Sequence, residues 1–119
     1  MSLCNKDRQI LLHVLRYCEK IQQTLHRFGP DFQTFLNDPD YRDSIGMNLL
    51  QIGELAGRLS ADYTASSPMN WRAIKNMRNM FAHDYGSMDL DRIWDTVISD
   101  IPVLKEYCRK ELENPSSLT

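Results

Sequence analysis

Ile10, Val14, Cys18 (or Tyr17), Ile21, Leu25 and Phe28 follow one another at steps of three and four. That spacing lays a single apolar stripe along a helix and does not fit the two-residue alternation of a strand. It predicts a long amphipathic helix over about Lys6–Phe28, capped by Asn5 or Ser2 and ended by Gly29-Pro30. The chain has 5 prolines, at positions 30, 39, 68, 102 and 115, so long segments between them are free of helix breakers.

The rest of the chain repeats the theme. A short helical turn is expected over Asp31–Leu36. Asp38 followed by Pro39 reads as a helix start, with the aspartate as cap and the proline in the first turn. The third helix spans roughly Asp40–Leu59, on a stripe of Ile45, Leu49, Ile52, Leu55 or Ala56, and Leu59. It also carries Gly46, Gly53 and Gly57, each costing up to about 1 kcal/mol relative to alanine. Three glycines in one helix suggest close approach of another backbone, from a neighbouring helix or a second subunit, with crowded packing inside one subunit as the plain alternative. Ser60–Pro68 reads as a loop. A fourth helix is expected from Asn70 or Trp71 to His83 or Asp84, stopped at Gly86. Ser87 or Asp89 then caps a last helix running to about Glu111. Its apolar positions are Leu90, Ile93, Trp94, Val97, Ile98, Ile101, Leu104, and Tyr107 or Cys108, with Pro102 as a kink or break. The expected fold is therefore all-α: four main helices plus a short one in an antiparallel bundle. Residues 1–113 form one domain in this reading, and 114–119 form a flexible tail.

Composition narrows the function. A formal net charge of -2 disfavours wide, non-specific nucleic-acid binding and leaves room for a local basic patch. The 3 cysteines, Cys4, Cys18 and Cys108, show no C-x-x-C spacing, so neither a disulfide framework nor a zinc site is expected. Cys18 and Cys108 fall on apolar stripes and read as packing groups. A reducing, cytoplasmic setting fits this usage. The first residues carry no signal-peptide pattern, and no apolar run has membrane-spanning length. His13 and His26 read as surface residues of the first helix, and Trp71 and Trp94 as core anchors. No cofactor or metal is expected.

Chemistry concentrates in Arg78-Asn-Met-Phe-Ala-His83-Asp-Tyr85. Arginine can fork onto a phosphate, histidine can move a proton near neutral pH, and the tyrosine phenol can bind or be modified. On one helix Arg78 and Tyr85 share a face, while His83 lies about 140° round from Arg78. A simple triad on one helix is thus excluded unless the helix end distorts or a second subunit completes the site. Arg72, Lys75 and Arg78 step by three as a basic swath, for which a solvated face is the plain alternative. Asn79 lies next to Arg78, and with Arg72, Lys75 and Tyr85 it is the candidate support for a phosphate-bearing ligand held there.

The pattern Arg-x4-His-x-Tyr at Arg78, His83 and Tyr85 resembles the motif of HEPN-domain proteins, and more narrowly that of the HepT-like toxins. Three further blocks resemble the same family: Asn48–Glu54, with its Ile-Gly-Glu; Trp71–Ile74; and Asp89–Trp94 followed by Asp100-Ile-Pro102. Asn70 stands where the family pattern leads one to expect proline, and it can cap the helix itself. The resemblance implies an all-helical homodimer whose two motifs face a shared cleft. It implies a metal-independent endoribonuclease, the toxin of a toxin–antitoxin pair. The implied partner is a minimal nucleotidyltransferase antitoxin that transfers AMP onto the motif tyrosine, here Tyr85. Arg78 and His83 would be catalytic. The alternative is a non-catalytic module that holds a nucleotide or RNA, or serves a partner enzyme.

Overall fold

The apolar stripe of the first helix buries Ile10, Leu11, Val14, Cys18 and Ile21, each at most 8% exposed. Complete burial of such side chains contributes about 1.5–3 kcal/mol each, which is why this helix forms the floor of the core. The structure, a computed structural model, describes residues 3–82 and 90–114. Helix α1 spans Asn5–Phe28, α2 Phe32–Asn37, α3 Pro39–Ala56, α4 Ala61–Ser66, α5 Trp71–Lys75, α6 Met77–Ala82, α7 Leu90–Asp95 and α8 Ile101–Glu113. A π-helical turn, Thr96–Asp100, joins α7 to α8. The described residues contain no strand.

The helix ends show how local chemistry sets the boundaries. At the start of α1 the cap is Cys4 rather than Asn5 or Ser2: its Sγ accepts from the Asp7 N–H at 3.5 Å. Asn5 is already the first helical residue, and Ser2 lies outside the described residues. Gly29 ends α1 at φ +102°, a conformation that disfavours any side chain, and its N–H donates to the Leu25 carbonyl at 2.8 Å. Asp31 caps α2, and Asp38 caps α3 by accepting from the N–H groups of Asp40 and Tyr41, with Pro39 in the first turn as expected. Phe28, Phe35, Tyr41 and Trp94 pack ring on ring over this corner, with centroids 4.9–6.2 Å apart in the contacting pairs. The buried Tyr41 hydroxyl donates to the Gly29 carbonyl at 2.9 Å.

Four expectations need correction. Helix α3 stops at Ala56, and a turn carries the chain to Leu59. The expected loop at 60–68 contains α4, because the Ser60 hydroxyl accepts from the Tyr63 N–H and Tyr63 is buried. The expected fourth helix is two, α5 and α6, separated at Asn76. Ile98 is 43% exposed, since Ile93, Val97, Ile101, Leu104 and Cys108 complete the buried stripe without it. The expected kink at Pro102 takes a defined form. The Ile101 N–H bonds back five residues to the Thr96 carbonyl, and this wide turn precedes the proline, which enters the first turn of α8. The proposed stop at Gly86, the caps Ser87 and Asp89, and the tail from 115 onward lie outside the described residues.

Candidate active site

Helix α3 packs chiefly on α1 and α6, and α1 also receives α8. The α3–α6 contact is made possible by Gly53. A Cβ at that position would meet the Arg78 backbone nitrogen at 2.5 Å, the Arg78 Cβ at 2.8 Å and the Lys75 carbonyl oxygen at 2.9 Å. The close approach expected of the α3 glycines is therefore made at Gly53 by a helix of the same chain. It places residue 54 directly beside residue 78.

There the Arg78 Nη1 donates to the Glu54 Oε1 at 3.1 Å. Both side chains remain open to solvent, at 47% and 41% exposure. An ion pair so exposed contributes little to stability, at most about 1 kcal/mol. Its value lies in where it holds the guanidinium: Nη1 is engaged by Glu54, and among the described residues the rest of the fork has no side-chain partner.

Asn70 caps α5, its Oδ1 accepting from the Ala73 N–H at 3.1 Å, as its side chain allowed. The helix is then fixed from below. The Trp71 Nε1 donates to the Ser67 hydroxyl at 3.0 Å, which lies 2.6 Å from the Tyr107 hydroxyl. The Tyr63 hydroxyl lies 2.7 Å from both that phenol and the Glu111 Oε1. Burial first, then the hydrogen bonds to Tyr107 and the Glu111 carboxylate, push the Tyr63 phenol well above its ordinary range, so this hydroxyl keeps its proton and acts as a structural donor. The network ties α4, α5 and α8 together beneath the basic face.

Arg72 and Lys75 are exposed on α5, and neither is ion-paired among the described residues. They line an open groove of about 590 Å3 together with Asn70, Trp71, Gly57 and Leu59. That volume lies within the range of small-ligand sites. Asn79 is exposed next to Arg78, its N–H donating to the Asn76 carbonyl at 3.0 Å. His83 and Tyr85 lie outside the described residues. The structure thus brings Arg78, Asn79, Arg72 and Lys75 onto two consecutive short helices and adds Glu54, which sequence reasoning did not assign. The signal for Glu54 was its place directly after Gly53.

The remaining reactive groups are accounted for. Cys18 and Cys108 are fully buried, and burial pushes the Cys18 thiol up to about 12, so both are packing groups as read from the sequence. His13 and His26 are exposed on α1. Trp71 is buried, and Trp94 is partly buried in the aromatic corner. Among the described residues no cluster of three or more His, Cys, Asp or Glu could hold a metal ion. No helix among them is long and apolar enough to cross a membrane.

The sequence model of a family described as ribonuclease HepT-like matches residues 14–111. A provisionally named RNase of Caldanaerobacter subterraneus subsp. tengcongensis is 28% identical over 107 residues, covering 89% of this chain and 94% of that protein. A provisionally named ribonuclease HepT of Thermococcus cleftensis is 33% identical over 75 residues, covering 62% of this chain and 68% of that protein. A Methanocaldococcus jannaschii protein named for gamma-glutamylcyclotransferase and, provisionally, for RNase is 32% identical over 113 residues, which is 91% of this chain and 49% of that one. No solved structure matches.

Proposed function

Because the chain belongs to the HepT-like ribonuclease family, we propose that it is a metal-independent endoribonuclease and the toxin of a toxin–antitoxin pair. The observation that carries the reaction class is the family match across residues 14–111. The exposed Arg78, with Arg72 and Lys75 on the preceding helix carrying no ion pair among the described residues, supports the site.

The ribose 2′-hydroxyl attacks the adjacent phosphorus, and the 5′-oxygen leaves. Arg78 stabilises the charge that builds on the phosphorane oxygens, as preorganised cations do. His83 moves a proton as general acid or base. Asn79, Arg72, Lys75 and Tyr85 support or contact the RNA backbone. The active form is a homodimer with the two motifs facing one cleft. A minimal nucleotidyltransferase antitoxin silences it by transferring AMP to Tyr85, adding bulk and a negative phosphate next to Arg78.

The test is RNA cleavage in EDTA by wild type, Arg78→Ala and His83→Ala, and by wild type pre-incubated with the neighbouring nucleotidyltransferase and ATP. Wild type alone is expected to cleave. Equal cleavage by all four samples would remove both the catalytic and the silencing assignments. Absence of cleavage by wild type would favour the binding-module reading.

A further inference from the structure

The proposed reaction needs two proton carriers, one to take the 2′-hydroxyl proton and one to give a proton to the leaving 5′-oxygen. Each motif offers one histidine. The structure supplies a second group in the same chain, the carboxylate of Glu54.

Glu54 is held 3.1 Å from the guanidinium assigned to the phosphate. The side chains are not merely long and convergent. The Gly53 backbone abuts the Arg78 backbone, so the residue after the glycine is bound to lie beside the arginine. The carboxylate stays 41% exposed, so a ribose can reach it. Within RNA the 2′-oxygen lies on the carbon next to the one bearing the phosphate, so a phosphate on Arg78 brings the 2′-hydroxyl to that neighbourhood. The arginine also offsets the repulsion between carboxylate and phosphate. An exposed pair adds little to folding, so stability does not account for the arrangement.

We propose that Glu54 is the general base of this ribonuclease, a reading that rests on the function proposed above. The Glu54 carboxylate takes the 2′-hydroxyl proton as the 2′-oxygen bonds to phosphorus. The P–O5′ bond breaks, and His83 in its protonated form gives its proton to the departing 5′-oxygen. The products are a 2′,3′-cyclic phosphate and a free 5′-hydroxyl, with Glu54 protonated and His83 neutral. Water then opens the cyclic phosphate with the roles reversed: His83 takes the water proton and Glu54 returns its own to the 2′-oxygen. Both residues recover their starting states.

Glu54→Gln separates this role from a positioning one. The amide oxygen still accepts from Arg78, so the guanidinium keeps its place, while the base is gone. Cleavage is expected to fall at least about a hundredfold, with the thermal midpoint of wild type retained. Affinity for an uncleavable 2′-deoxy oligonucleotide is expected to be no weaker than wild type, whereas Arg78→Ala weakens it. A substrate with sulfur in place of the 5′-bridging oxygen needs no general acid, so it should restore His83→Ala and leave Glu54→Gln impaired. Cleavage by Glu54→Gln near the wild-type rate, or a rate loss matched by lost deoxy-oligonucleotide affinity, overturns the assignment. If wild type cleaves and Arg78→Ala does not, such a result removes Glu54 alone. If wild type fails to cleave, the ribonuclease reading falls with it.

Discussion

Asp7 is 2% exposed near the start of α1, and every polar contact it makes serves its negative charge. Its carboxylate accepts from the Ser60 N–H at 2.9 Å, the Ser60 hydroxyl at 2.6 Å and the Cys4 thiol at 3.2 Å. Burial alone would raise its pKa; the Ser60 and Cys4 hydrogen bonds, with Lys6 nearby, outweigh that and hold it below the usual value. A carboxyl whose folded pKa is depressed stabilises the fold above its unfolded pKa and loses that contribution as pH falls through the folded one. Asp7→Ala is expected to cost about 1.5–3 kcal/mol at neutral pH, because it leaves the Ser60 donors without their charged acceptor. The gap between variant and wild type should narrow as pH drops below the carboxylate range. Urea denaturation at about pH 7 and about pH 3 reads both effects, and a gap that does not change with pH would refute this account. Asp7 was invisible in the sequence because its partner is 53 residues away. Arg78 was legible because arginine's chemistry travels with its type, whereas Glu54 gained its role only from a neighbour 24 residues on.

At the scale of elements, Gly53 decides where α3 meets α6. Glycine to alanine in a helix gains up to about 1 kcal/mol in propensity. Here the new methyl would sit 2.5 Å from the Arg78 nitrogen and 2.9 Å from the Lys75 carbonyl oxygen, atoms of backbone that cannot swing aside. Overpacking costs about 1–3 kcal/mol, so the net effect of Gly53→Ala is destabilisation. The same shift moves Arg78 from Glu54, and RNA cleavage should fall. A melting curve and a cleavage assay check the pair; a more stable and fully active variant would contradict it. The α3 glycines announced a close approach, but periodicity could not say whether a helix of the same chain or another subunit makes it. The split of α5 from α6 at Asn76 and the hidden helix α4 were missed for a related reason. Short helices of five or six residues have too little stripe to register in sequence, and packing rather than propensity stabilises them. The π-turn before Pro102 was legible as a disruption, and only the backbone showed its width.

Across the whole molecule, one core joins every described helix, and the buried Met77 brings α6, which carries Arg78, into it. The α1–α8 contact is further pinned by the Lys105 ammonium donating to the Gln22 side-chain oxygen at 2.7 Å. The proposed homodimer belongs to this scale. With Glu54 as base, the second subunit is not needed as a proton carrier, and its part is to close the cleft around the RNA. Sedimentation equilibrium should give about twice the 13.9 kDa chain mass, and a monomer at every concentration would count against the shared cleft.

Residue order by itself determined the helical class, the buried stripes of α1, α3 and α8, and the caps at Asp38 and Asn70. Each of these is local: a period of three to four residues, or a side chain bonding to backbone two or three residues on. Tertiary structure alone decided that Gly53 seats against Arg78, that Glu54 holds the guanidinium, and that Asp7 locks onto Ser60. Periodicity tells a helix which face to bury but not which helix will cover it. That choice is made by the packing of the whole core, and the candidate base for the reaction exists only once it has been made.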